Sequence, residues 1–190
     1  MHRASHKSSI RLQPLVALLA VGLSLTASAR PAAAQGYTGL QIIGDHYFDA
    51  PQSGTNLGGG VRAGSNGFGD NTHWSFAFSA NFLAQEINAP AGPTRSSYFD
   101  MTASIQWSPV EQAEGWWPYV GVGYGWMMTT REGGQVGPLG GTSVPLSVGA
   151  RLPSSLFVEL QYWGKMPEQS VLGERKSTRV ALALGFTLLD

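Results

Sequence analysis

The stretch Arg179–Asp190 reads RVALALGFTLLD, and its alternation decides the fold. Val180, Leu182, Leu184, Phe186 and Leu188 share one parity, while Ala181, Ala183, Gly185 and Thr187 share the other. Successive side chains of a strand point to opposite faces, so this segment is a strand with one large apolar face and one small face. A half-exposed strand of a soluble antiparallel sheet would carry Lys, Glu or Thr on its second face to meet water. A greasy face backed by a small one suits a strand with lipid outside and a crowded interior.

The same pattern recurs along the chain. Runs bounded by Gly, Pro, Ser and Asn clusters predict eight strands: 37–48, 57–65, 74–85, 96–107, 117–130, 142–152, 156–165 and 178–189. Most approach the roughly 9–11 residues that a tilted strand needs to cross a bilayer. In the third strand Trp74, Phe76, Phe78 and Phe82 alternate with Ser75, Ala77, Ser79 and Asn81. In the fourth, Phe99, Met101, Ile105 and Trp107 oppose Asp100, Thr102, Ser104 and Gln106. In the fifth, Val120, Val122, Tyr124 and Trp126 oppose Gly121, Gly123 and Gly125. The first two strands are Gly-rich and alternate less cleanly. The mid-strand charges Arg62, Asp100, Arg151 and Glu159 all lie on the small or polar faces. A soluble barrel would be apolar inside and polar outside, so the reading is an all-β, eight-stranded antiparallel up-and-down transmembrane β-barrel, whose closure satisfies every backbone group in lipid. A soluble sandwich or lipocalin-like carrier is the alternative, because parity does not say which face is outside.

Residues 1–34 carry a basic start (Arg3, Lys7, Arg11), an apolar run Leu15–Leu25 and the small residues Ala32, Ala33 and Ala34. That order is a secretory signal peptide, cut after Ala34 or after Ala29, and the run is too short for the roughly 20 residues of a spanning helix. The expected division is therefore a signal peptide over 1–34 and an outer-membrane β-barrel domain over 35–190. Four of the 12 basic residues leave with the signal while all 12 acidic residues stay. The mature chain is acidic and without a long basic cluster, so nucleic-acid binding is not expected. The chain has no cysteine, which excludes disulfides and thiolate metal sites. Charged residues are only 13% of the chain, about half the usual share.

Trp74, Trp107, Trp116 and Trp117 fall where strands meet the expected periplasmic turns, and Trp126 falls near the opposite rim. These five are assigned to interfacial aromatic belts. Arg62, Asp100, Arg151 and Glu159 are assigned to a polar network in the lumen, since eight strands leave room for little more than side chains. The short turn at Pro153–Ser155 makes Arg151–Glu159 the expected pair. Pro145 removes a ladder hydrogen bond and is expected near the outer end of its strand. The ends 49–56, 86–95, 131–141 and 166–177 read as longer polar loops, with both termini periplasmic.

The runs Pro118–Gly125 (PYVGVGYG), Gly149–Tyr162 (GARLPSSLFVELQY) and the terminal GFTLLD carry a likeness of pattern over nearly all of the mature chain. In them the chain resembles the small eight-stranded outer-membrane barrels of Gram-negative bacteria, of the OmpA/OmpX and opacity-protein type. It departs from that type at Leu188–Leu189–Asp190, where such proteins end on an aromatic residue. The resemblance implies a monomer in the outer membrane, in contact with its lipid and lipopolysaccharide and inserted by the barrel-assembly machinery. With no credible catalytic set, no pore and four exposed connections, the expected role is a non-enzymatic one in envelope integrity or in surface contacts made by the loops.

Only His46 and His73 remain after signal cleavage, so a multi-histidine metal site is not expected, nor any cofactor. Gly121–Gly123–Gly125 lacks the lysine and the helix of a phosphate loop. His73 and Ser75 share a strand face, and a Ser–His–acid set is chemically sensible. It resembles that of outer-membrane lipid A deacylases, although Phe76 stands where those carry Asn. An acyl hydrolase using His73 and Ser75 is thus the enzymatic alternative.

Overall fold

The computed structural model describes residues 35–48, 55–67, 72–89, 92–111, 116–131, 141–170 and 173–189. The expected signal peptide and the loop positions 49–54 and 132–140 lie outside the described residues. The strands are β1 (Gln35–Phe48), β2 (Thr55–Asn66), β3 (Trp74–Ala89), β4 (Gly92–Trp107), β5 (Trp117–Arg131), β6 in two pieces (Gly141–Ser143 and Pro145–Arg151), β7 (Leu156–Ser170) and β8 (Gly173–Leu189). Each pairs antiparallel with the next, and β8 pairs back onto β1, as in Gln41↔Gly185. The ring closes, leaving a barrel of up-and-down order with no free sheet edge.

The break in β6 falls at Val144, immediately before Pro145, which has no N–H to give the ladder. Pairing of β5 with the two pieces keeps one register across the break, Gly125↔Ser143 and Val122↔Leu146. Pro145 therefore interrupts hydrogen bonding without slipping the strand. Two of the expected loops are strand instead. The β3–β4 ladder runs on to Ala89↔Gly92 and the β7–β8 ladder to Ser170↔Gly173. Polar composition there does not end the ladder, because an antiparallel hairpin keeps pairing its backbone whatever its side chains.

The described ends of β1 and β8 meet at Thr38↔Leu189, so one end of the barrel (the terminal end) carries both. The tight turn after β6 is at the same end, where Leu152 N–H donates to Leu156 O at 2.8 Å and Ser155 takes a positive φ of 60°. The β1–β2, β3–β4 and β7–β8 hairpins lie at the other, hairpin end.

Orientation of the faces settles the ambiguity that parity leaves. Ala181 and Ala183 are fully buried, whereas Leu182, Leu184 and Phe186 are 45%, 52% and 42% exposed. Ile42, Leu57, Val120 and Leu146 are likewise exposed, each on the outer face of its strand. Apolar side chains thus girdle the outside, while charged, polar and small residues share the inside with a few large aromatic and aliphatic ones. A lipocalin-like carrier needs the reverse, and that alternative is corrected here. Inside, bulk on one strand rests on glycine in another. A Cβ on Gly64 would lie 2.7 Å from the Tyr37 ring, and one on Gly149 would lie 2.6 Å from the Tyr119 hydroxyl. Trp163 covers Gly125 in the same way. Small residues on the inner face are what let large ones fit in so narrow a barrel.

Candidate functional site

The interior is built on Arg62, Arg151 and Arg179, set against Asp45, Asp100 and Glu159. At mid-height Arg62 of β2 meets Glu159 of β7, with Nη1 donating to Oε1 at 3.0 Å and Nη2 to Oε2 at 2.7 Å. Both side chains are buried. The two parallel bonds match the planar fork of a guanidinium to a carboxylate. Glu159 also accepts from the Tyr119 hydroxyl at 2.8 Å, Gln106 Nε2 at 3.0 Å and Gln161 Nε2 at 2.6 Å. A buried charge is tolerable when it is both paired and fully hydrogen-bonded, and Glu159 is.

Nearer the hairpin end, Arg179 of β8 bridges two carboxylates. Its Nε donates to Asp45 Oδ2 at 2.5 Å and its Nη2 to Asp100 Oδ2 at 2.6 Å. Asp45 accepts further bonds from Tyr98 and from Asn56 Nδ2, the latter at 2.8 Å. Asp100 accepts from Asn81 Nδ2 at 2.7 Å. The guanidinium carbon lies 4.9 Å from the centre of the Trp163 ring and 5.4 Å from that of Tyr98. Such cation–π contacts suit a weakly hydrated guanidinium better than an ammonium. Sequence reading missed Asp45 and Arg179 because both lie near strand ends. Parity could have found them, since Arg179 shares its face with Ala181 and Ala183.

At the terminal end Arg151 Nη2 donates to the Tyr37 hydroxyl and to Ser75 Oγ, both at 2.9 Å, and to Gln106 Oε1 at 3.1 Å. Its guanidinium stacks 4.2 Å over the Tyr37 ring and 4.8 Å over Trp117. The expected Arg151–Glu159 pairing is corrected by the register. The β6–β7 hairpin sets Arg151 opposite Phe157 and Glu159 opposite Gly149, and the bidentate ion pair on Glu159 is made by Arg62. A turn centred one residue earlier moves every cross-strand partner by two.

Of the five tryptophans assigned to the barrel's rims, Trp74, Trp107 and Trp116 are exposed, and Trp74 and Trp107 sit side by side on β3 and β4. Trp126 is on the outer face and half-buried. Trp117 is the exception, buried inside with its ring 5.4 Å from that of Tyr119. It shares parity with Tyr119, and parity overrides its position near a turn. The buried atoms Gln41 Oε1, Thr102 Oγ1, Trp117 Nε1, Ser147 Oγ and Arg179 Nη1 make no hydrogen bond to the described residues.

His73 and Ser75 do not form a nucleophile–base pair. The Ser75 hydroxyl is buried, donates to Ser65 O at 2.7 Å and accepts from Arg151. The His73 ring turns to the next turn of the barrel, with Nδ1 3.0 Å from Ser108 O and Nε2 4.0 Å from Glu111 Oε1. Among the described residues no cluster of His, Asp and Glu has metal-binding geometry.

No protein-family model matches the chain, and no curated protein matches its sequence. Among solved structures it is similar to Neisserial surface protein A (NspA), with a TM-score of 0.58 and 14% identity over 82% of this chain and 97% of that one. It is also similar to the N-terminal β-barrel domain of OprF from Pseudomonas aeruginosa, with a TM-score of 0.46 and 16% identity over 82% of this chain and 99% of that one. The first likeness is one of fold, and it makes this chain an eight-stranded barrel of the kind found among small outer-membrane proteins.

Proposed function

We propose that the chain is a non-enzymatic β-barrel protein of the bacterial outer membrane, plugged by its own interior side chains. It contributes to envelope integrity, or to surface contacts made at its hairpin end. The observation that carries this reading is the inverted burial of β8, with Ala181 and Ala183 inside and Leu182, Leu184 and Phe186 outside. An apolar belt around a closed ring of strands is stable in hydrocarbon, where every backbone group must be paired internally. The belt would contact outer-membrane lipid and lipopolysaccharide, and the barrel-assembly machinery would insert the protein as a monomer. The plug rests on Arg62–Glu159 and Arg179–Asp100, which join strands that are not neighbours in the ring, with Asp45 holding Arg179 from the adjacent β1. The non-enzymatic reading is supported by the engagement of Ser75 with Arg151 rather than with His73.

Fractionation of expressing cells and gel mobility with and without boiling test the proposal together. The expected result is protein in the outer-membrane fraction, folded in detergent and shifted in mobility by heat. A protein that stays monomeric in plain buffer overturns the membrane reading. Large, steady conductance in planar bilayers overturns the plug.

A further inference from the structure

Along the inner faces large side chains come in two groups, with smaller ones between. On β5 the inward run is Trp117 and Tyr119, then Gly121, Gly123 and Gly125, then Met127. On β1, Gln41 stands between Tyr37 and Ile43, and on β4, Thr102 and Ser104 stand between Asp100 and Gln106. The bulk therefore gathers into two layers, one toward each end of the barrel.

Toward the hairpin end Leu83, Tyr98, Met127 and Trp163 belong to one buried cluster. Arg179 lies against the rings of Tyr98 and Trp163 and reaches from β8 to Asp100 on β4. Toward the terminal end Arg62 reaches from β2 to Glu159 on β7, with its guanidinium 4.9 Å over the Phe157 ring. Beside that pair stand Tyr119, bonded to Glu159, and Tyr37 and Trp117, on which Arg151 stacks. Apart from Arg151, no side chain of either layer keeps more than 4% of its surface exposed.

Each layer thus carries its own ion pair between strands that are not neighbours. Each is also seated on glycine: Trp163 covers Gly125 and Phe157 covers Gly185, where a Cβ would strike the ring. An eight-stranded barrel leaves room for little more than side chains, so one buried layer drawn from four or more strands fills a cross-section. The layers touch through Trp163. Its indole N–H donates to Gln161 Oε1 at 3.1 Å, and Gln161 Nε2 donates to Glu159 at 2.6 Å, while the ring itself lies against Arg179.

We infer that the lumen is closed twice, by two layers of which each blocks it alone. This rests on the plugged-barrel reading and adds redundancy to it. A partner or a substitution that disturbs one end leaves the other shut, which suits a protein that must not breach the envelope it stands in.

The chain has no cysteine, so a single introduced thiol can be read without background. Thr102 lies between the layers, and its buried hydroxyl makes no hydrogen bond that a thiol would forfeit. The probe is a small charged methanethiosulfonate, added to one side or the other of vesicles holding folded Thr102→Cys. Ser154→Cys, on the exposed turn, reports reaction from the terminal side. Thr102→Cys is expected to react about a hundredfold or more slower than Ser154→Cys from either side, and readily once urea unfolds the protein, since thiol reactivity follows access. Added to it, Leu83→Ala with Met127→Ala should admit the probe from the hairpin side alone. Trp117→Ala with Tyr119→Ala should admit it from the terminal side alone, and neither pair should conduct in planar bilayers. Labelling of Thr102→Cys by itself at a rate near that of Ser154→Cys, from either side, overturns the inference. So does conduction by either folded pair, labelling of either from both sides, or a folded pair that does not label. Where a pair does not fold, the labelling of Thr102→Cys alone decides. Steady conductance of the unaltered protein would instead defeat the plugged-barrel reading itself.

Discussion

Arg179→Met tests the interior most directly. The substitution keeps much of the side-chain volume but removes the charge that Asp45 and Asp100 share, at 2.5 and 2.6 Å. Removing one partner of a buried ion pair costs about 3–5 kcal/mol, because the remaining charge is left uncompensated. Arg179 serves two carboxylates and also stacks on aromatic rings, so a loss of about 5 kcal/mol is expected. With a urea dependence of about 1–3 kcal/mol per molar, the unfolding midpoint should fall by roughly 2 M or more. Reversible urea unfolding in lipid vesicles, followed by tryptophan fluorescence, measures it. The triple variant Arg179→Met, Asp45→Asn, Asp100→Asn removes the whole ionic group while its amides can still bond Tyr98 and Asn56. Replacing a buried ionic group entirely is often close to neutral, so the triple variant should recover to within about 2 kcal/mol of the parent. A single variant within about 1 kcal/mol of the parent, or a triple variant no better than the single, refutes the argument that charge compensation holds this end together.

Three further outcomes follow from the geometry. Leu184→Arg places a charge on the outer face and should destabilise the barrel in bilayers by about 2–4 kcal/mol, with an unchanged midpoint speaking against a lipid-facing β8. Gly64→Ala drives a methyl into the Phe76 backbone carbonyl and the Tyr37 ring, whose hydroxyl holds Arg151, and overpacking of this kind costs about 1–3 kcal/mol or more in the same unfolding assay. A protein retaining only Trp107 should be quenched by brominated lipid and one retaining only Trp163 should not, since the first is exposed and the second fully buried. Equal quenching would contradict the assignment of the two faces.

The strands and their faces were legible in the sequence because a strand has a period of two, which any run as long as Val180–Leu188 displays on its own. The same rule would have put Trp117 inside, had parity been weighed above closeness to a turn. Strand ends were less legible: Ile87↔Thr94 and Glu168↔Arg175 are paired backbone in segments whose composition reads as loop. Pro145 was legible as a ladder defect, since a missing N–H is a local property.

What the sequence by itself determined, then, was the strand count, the alternation and the identity of most side chains that could face inward. Tertiary structure alone decided which face was inside, as shown by the buried Ala183 beside the exposed Leu184. It also decided who meets whom. Arg62 and Glu159 are 97 residues apart in the chain, and Arg179 and Asp45 are 134 apart. Such partners are set by register and by closure of β8 onto β1, and a one-residue shift at a single turn was enough to misplace Arg151 against Glu159. Periodicity is written in each strand separately, whereas contact across a barrel depends on the summed stagger of all of them.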